Sequence, residues 1–306
     1  MVQRGVFLLL AAAVLTGAAR VPAHTAEPSG SADTVYVYDG YAAKTDAAFD
    51  AASLDRAAYR FQHLYDLYFT GRTVYLAVVP DKALFTVPPA GYAPAGAAET
   101  ADCLRGALDF LTPVDIAADL TLADYYRTDP HWRQERLRPT ADALLTAMGA
   151  PVSGTRDETL CALEGDFHGS YWGKTEEPLE PDTLAYLTSP VLDSCTVHSY
   201  ETDTDGGVYD FSAAQDAPYD LFLSGSRSLL RIDSPQALSD RTLVVFRDSF
   251  GSSLIPLLAE SYRTVYAVDI RYLSSDLLGR FVDFPADADV LLLYSTTVLH
   301  NSITLK

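Results

Sequence analysis

The chain has 306 residues, with 22 Lys+Arg against 41 Asp+Glu, a formal net charge of −19, 48% apolar residues and 21% charged. That apolar fraction excludes an intrinsically disordered chain, and the length fits one large α/β domain or two small ones. The acidity argues against nucleic acid and against an anionic membrane surface, both of which need clustered Lys and Arg.

The first element reads as an export signal. Arg4 supplies the positive start, residues 6–15 form an apolar core too short to span a bilayer, and Val21-Pro22-Ala23 resembles a cleavage site. The expected layout is a signal peptide over 1–23, a flexible leader over 24–33 and one catalytic domain over 34–306. An uncleaved signal acting as a membrane anchor is the alternative. The small polar leader ends at a β-branched and aromatic run, 34–38, which predicts a strand. Apolar residues at Phe49, Ala52, Leu54, Ala58, Phe61, Leu64, Tyr65 and Tyr68 have helical spacing, so 46–69 is expected to be a helix. Gly71 breaks it, and TVYLAVV at 73–79 predicts a buried strand.

Residues 87–97 are Pro/Gly/Ala-rich loop, and 99–111 a second helix. A helical pattern over 131–148 contains Pro139, which is expected to kink or split it. Residues 150–185 are loop-rich, and 186–232 look like a β-rich insertion. Strands at 242–246, 264–269 and 289–294 then alternate with helices at 254–262 and 276–282. That order is the signature of βαβ units on a parallel sheet. Cys103, Cys161 and Cys195 make an odd count without any C-x-x-C, so the expectation is one Cys161–Cys195 disulfide or three buried thiols, and no zinc site.

Two segments carry chemistry. In VVFRDSFGSS (244–253) an apolar strand ends in a tight turn, and Ser249 stands just before a helix. A Ser there is exposed at the carboxyl end of the sheet, with backbone N–H groups of the helix start nearby to stabilise an oxyanion. The alternative is that Ser249, Ser252 or Ser253 only caps the helix. In YRTDPHW (126–132), Asp129 and His131 stand two residues apart. Asp129 with Pro130 also makes a good helix start, with His131 incidental. Two metal ligands are a third possibility, but no third ligand has suggestive spacing.

Taken together, YYRTDPHW at 125–132, FRDSFGSSLIPLL at 246–258 and VYAVDIRY at 265–272 resemble the DHHW family of exported bacterial proteins. VVPDK at 78–82 and GDFHGSYWGK at 165–174 also look like it, although Pro130 stands where the family name has His. That family lies in the SGNH-hydrolase superfamily, beside the alginate O-acetylation proteins of the periplasm. The resemblance implies an SGNH-hydrolase-like three-layer α/β sandwich with a mostly parallel sheet. It implies Ser249 as nucleophile, His131 as base and acid, and Asp129 as the residue holding His131. The N–H groups at 249–251, those of Phe250 and Gly251 among them, are the expected oxyanion donors, and Arg271, after another strand end, is a candidate for the same cleft.

The implied function is an extracytoplasmic serine-dependent O-acetyltransferase or acetylesterase. Its partner is a poly- or oligosaccharide, with a membrane-bound acyltransferase as acetyl donor. No cofactor or metal is expected. A non-catalytic carbohydrate-binding or assembly protein on the same scaffold is the alternative. His300 competes with His131 as base, and His168 is a candidate for the cleft wall.

Overall fold

The computed structural model describes residues 33–306, so the expected signal at 1–23 and nearly all of the leader lie outside the described residues. The chain opens with β1 (Val35–Tyr38) and β2 (Tyr41–Lys44), then α1 (Ala51–Leu64), β3 (Val74–Val79), α2 (Ala97–Ala107), β4 (Leu111–Pro113) and α3 (Arg138–Ala147). The middle stretch holds β5 (Thr159–Ala162), β6 (Ala185–Thr188), α4 (Pro190–Ser194), β7 (Thr196–Ser199), β8 (Thr204–Gly206), α5 (Ala213–Asp216) and β9 (Leu229–Asp233). It closes with β10 (Thr242–Arg247), α6 (Gly251–Ala259), β11 (Thr264–Val268), β12 (Asp289–Ser295) and α7 (Thr296–Leu299).

The main sheet has eight strands in the order β4-β3-β12-β10-β11-β9-β7-β8. The first five run parallel; β9, β7 and β8 continue the sheet in antiparallel pairing. Period-2 alternation sends successive side chains of each strand to opposite faces. Val245, Leu291, Leu293 and Ala267 face a core shared with Leu144 of α3 and Leu254 and Leu257 of α6. Val244, Phe246, Leu292 and Val268 face the other core, with Leu54 and Phe61 of α1 and Leu104 of α2. Both faces are dry, which is why these strands read as unbroken apolar runs. The architecture is therefore an α/β sandwich with a mostly parallel sheet.

Several elements depart from the sequence reading. The expected strand 34–38 is one arm of a hairpin: Asp39 and Gly40 take positive φ, 49° and 76°, and turn the chain into β2. The helix expected over 46–69 begins only at Ala51, where the Asp50 carboxylate accepts from the Ser53 amide, and ends in a π-helical turn, Tyr65–Phe69. The second helix stops at Ala107, and Leu111 belongs to β4. Pro139 does not kink a helix; it stands in the first turn of α3, where its missing N–H costs nothing. Consequently 131–137 is not α-helical, and Asp129 caps no α-helix. Residues 186–232 supply β7, β8 and β9, which lengthen the main sheet, while β5 and β6 form a separate hairpin. The three cysteines are free thiols, with Cys195 buried. No described helix is long and apolar enough to cross a membrane.

Candidate active site

β10 carries the chain into the carboxyl edge of the sheet, flanked by β11 and β12, with Phe246 in register with Val268 and Leu292. Asp248 and Ser249 then form the turn into α6. Asp248 is fully buried and organises that turn: one carboxylate oxygen accepts the Phe250 amide at 3.0 Å, the other the Ser295 amide and hydroxyl at 2.7 Å each. Gly251 is demanded by close approach, because a Cβ there would stand 2.8 Å from Arg247 Cβ.

The second segment folds over this turn. Tyr125 and Trp132 bridge to each other, closing the loop that contains Asp129 and His131. Trp132 is completely buried, and its indole N–H donates to the Phe250 carbonyl at 3.0 Å. Gln134 donates to the Ser253 carbonyl at 2.9 Å and accepts from the Leu187 amide at 2.9 Å. These bonds lock the loop to the Ser249 turn 118 residues away in sequence.

The three expected side chains form one hydrogen-bonded line. His131 Nε2 lies 2.7 Å from Ser249 Oγ, and His131 Nδ1 lies 2.6 Å from Asp129 Oδ1. The second Asp129 oxygen accepts the Ser170 amide at 2.9 Å, and Oδ1 also accepts the His131 amide at 3.1 Å. Burial works to raise the Asp129 carboxyl; the charge and ring bond of His131 and the two amides outweigh it and hold the group at about 2. When the ring is neutral, an ionised carboxylate that only accepts places the ring proton on Nδ1, which donates to Asp129. That leaves Nε2 as acceptor for the Ser249 hydroxyl. Tyr219 covers one face of the imidazole, with ring centroids 4.0 Å apart and planes 13° from parallel. Its hydroxyl lies 3.0 Å from Ser253 Oγ.

The remaining expected residues fall elsewhere. The Phe250 and Gly251 amides do not point at an oxyanion position: Asp248 takes both, by its carboxylate and its carbonyl at 3.1 Å. Of the three amides at 249–251, only that of Ser249 has no acceptor among the described residues. Arg271 is held as a fork on the buried Asp269 carboxylate, at 2.9 and 2.7 Å, and bonds to none of the three. It lines a separate cavity of about 270 Å³ with Tyr272 and Thr297. His300 is a packing residue. Burial lowers its pKa to about 4, and its ring nitrogens meet the Asp50 amide and Thr100 hydroxyl, both at 2.9 Å. His168 stacks on the exposed Trp172, with centroids 4.1 Å apart. Among the described residues no group of three or more His, Cys, Asp or Glu side chains is placed to hold a metal ion.

The loop that donates the Ser170 amide is held at close range by Gly169. A Cβ there would overlap Asp129 Cβ and lie 2.6 Å from the Thr128 carbonyl oxygen. Gly169→Ala is therefore expected to displace the loop and cost about 1–3 kcal/mol of stability. A thermal melt checks this directly; an unchanged midpoint would show that the loop yields freely.

No family model and no curated protein sequence matches the chain. Solved structures do. A DHHW family protein from Eubacterium siraeum superposes with a TM-score of 0.68 at 21% identity, covering 90% of this chain and 96% of that one. PatB1 of Bacillus cereus, in a structure with a sulfonyl adduct, gives 0.64 at 18% identity, with coverages of 87% and 96%. The O-acetyltransferase domain of Pseudomonas putida AlgJ gives 0.51 at 15% identity, with coverages of 88% and 93%. The chain thus has the fold of a DHHW family protein and of an O-acetyltransferase domain, the fold that its motifs had implied.

Proposed function

We propose that the protein is a serine-dependent acyl-ester enzyme that transfers acetyl groups to hydroxyls of a poly- or oligosaccharide. The observation that carries this reading is the line Asp129–His131–Ser249, with 2.6 and 2.7 Å between successive polar atoms, at the carboxyl edge of a parallel sheet. A Ser, a His that accepts its proton and a carboxylate that fixes the tautomer are the parts that nucleophilic acyl transfer requires.

In the first half-reaction Ser249 Oγ attacks the acetyl carbonyl, and its proton passes to His131 Nε2. The Ser249 amide is the donor on hand for the developing oxyanion, a contribution of about 3 kcal/mol for one strong donor. Collapse breaks the ester C–O bond of the donor, and His131 returns the proton to the departing oxygen. A sugar hydroxyl, deprotonated by the same Nε2, then attacks the acetyl-serine; the acyl C–Oγ bond breaks, His131 returns the proton to Ser249 Oγ, and the sugar leaves acetylated. Water in place of the sugar makes the enzyme an esterase by the same steps.

Export by the 1–23 segment and an acetyl donor supplied by a membrane-bound acyltransferase belong to the same proposal. The shared fold with the O-acetyltransferase domain of AlgJ supports the acyl-transfer part of this reading. The test is turnover of a small acetyl ester with and without an oligosaccharide acceptor. Acceptor-dependent ester formation supports transfer, hydrolysis unaffected by the acceptor supports an esterase, and no turnover of any acetyl ester contradicts the reading.

Asp129→Asn probes the tautomer. An Asn side chain presents an N–H to Nδ1 as readily as an oxygen, which favours the ring with its proton on Nε2. That ring cannot accept from Ser249. The expected loss in kcat is on the order of 10⁴-fold, measured on an acetyl ester, whereas a carboxylate that served only as a local cap would give a nearly silent change.

A further inference from the structure

Lys82 is among the most deeply buried side chains of the protein, at 1% exposure, and the steps above do not use it. It follows β3 through Pro80 and Asp81. Its Nζ donates to the carbonyls of Tyr126 and Asp129, at 2.8 Å each, with the Arg127 carbonyl at 3.5 Å. Three ammonium donors thus meet three carbonyls of one four-residue stretch, the stretch that ends in Asp129. The Tyr171 ring lies 5.3 Å from Nζ. Among the described residues Lys82 makes no ion pair; the carboxylates of Asp129, Asp81 and Asp182 act on it only at longer range.

The other side of the same stretch is held by an anion. Asp182 accepts the Arg127 and Thr128 amides at 2.8 Å each, and the Thr128 hydroxyl at 2.7 Å. The backbone at 126–129 is therefore clamped, its carbonyls by a buried cation and its amides by a buried carboxylate. Burying an ammonium is expensive, and for stability alone an apolar side chain of equal volume often serves as well. What an apolar side chain lacks is the directed hold on the Asp129 carbonyl and the positive field beneath the Asp129 carboxylate.

We propose that Lys82 is a positioning residue for the Asp129–His131 pair, fixing the backbone that carries Asp129 and so aiming its carboxylate at Nδ1. The proposal rests on the acyl-transfer reading only where a rate is measured. It also sets a pH dependence. Burial lowers Lys82 to about 8, against the opposing pull of Asp129, Asp81 and Asp182. As pH rises through that value the ammonium loses its charge and turns a lone pair toward carbonyl oxygens, so the hold on Asp129 weakens.

The experiment compares Lys82→Met with the intact protein by two readouts: the pH profile of acetyl-ester turnover, and the proton resonance of His131 Nδ1–H in its short bond to Asp129. In the folded variant we expect kcat to fall on the order of 10²-fold, with KM little changed. An alkaline limb near 8 is expected in the intact protein and should be absent in the variant, with the downfield Nδ1 proton lost. A folded variant with the original kcat, alkaline limb and resonance overturns the proposal. Should Lys82→Met not fold, Lys82→Gln, which keeps N–H donors but no charge, is read by the same two assays: loss of rate and of the resonance supports the proposal, and the original kcat and resonance overturn it. The resonance reports on Lys82 even in a protein that turns over no ester, so failure of this inference is separable from failure of the functional reading.

Discussion

Ser249→Ala is expected to abolish acetyl transfer, with a fall in kcat on the order of 10⁶-fold, while the fold survives. On the proposed mechanism the substitution removes the attacking atom, Oγ at 2.7 Å from His131 Nε2. Little else depends on it. Ser249 is not the side-chain cap of α6, whose first turn is organised by Asp248, and Phe250 at the cap position makes no side-chain bond. The stability cost is one hydrogen bond, about 1 kcal/mol. Paired measurements of acetyl-ester turnover and thermal midpoint check this. Full activity in Ser249→Ala would remove the nucleophile from the account.

His131→Ala is expected to be nearly as severe, again on the order of 10⁶-fold in kcat, because among the described residues no other histidine bonds to Ser249 Oγ. His300, the other histidine considered for that role, is committed to the Asp50 amide and Thr100 hydroxyl. The double variant should be no slower than either single one, since the groups act as a unit. An additive loss would mean that the two residues serve separate functions. His131→Ala should also cost more stability than Ser249→Ala, because the imidazole packs against Tyr219 and Phe250, with centroid distances of 4.0 and 4.9 Å. The same two assays on both variants settle the ranking.

The parallel sheet was legible because β10, β11 and β12 are short apolar runs separated by helix-length connections, and burial on both faces writes that pattern directly. Local chemistry accounts for two departures from the expected elements. Asp39-Gly40 is a hairpin-turn signal, but β2, YAAK, has few β-formers to draw attention to it. The helical spacing over 131–148 mixed two causes: Ala141, Leu144 and Leu145 belong to α3, with Met148 at its C-cap, whereas Trp132 is buried against the Ser249 turn, to which it donates.

The members of the site are different in kind. Asp129, His131 and Ser249 stood out by residue type and motif. What brings them together, and the supports around them, arise from contacts across the fold. Lys82 meets the Asp129 carbonyl 47 residues away, and Tyr219 meets Ser253 Oγ 34 residues away. VVPDK and GDFHGSYWGK were visible as motifs, yet no spacing in the chain says that Lys82 clamps carbonyls or that the Ser170 amide binds Asp129. The oxyanion donors show the same boundary from the other side. A helix start promises free amides, but Asp248 takes two of the three, and only the folded turn reveals it.

The most direct measurement is to trap the covalent intermediate. The protein is mixed with a reactive acetyl ester, quenched in acid within a turnover, digested and analysed by mass spectrometry. The account predicts the added mass of one acetyl group on the peptide containing Ser249, at the Ser249 hydroxyl, and no such adduct in Ser249→Ala. Steady turnover with the acetyl group on another residue, or with no acetyl-enzyme in the intact protein and full turnover in Ser249→Ala, would contradict it.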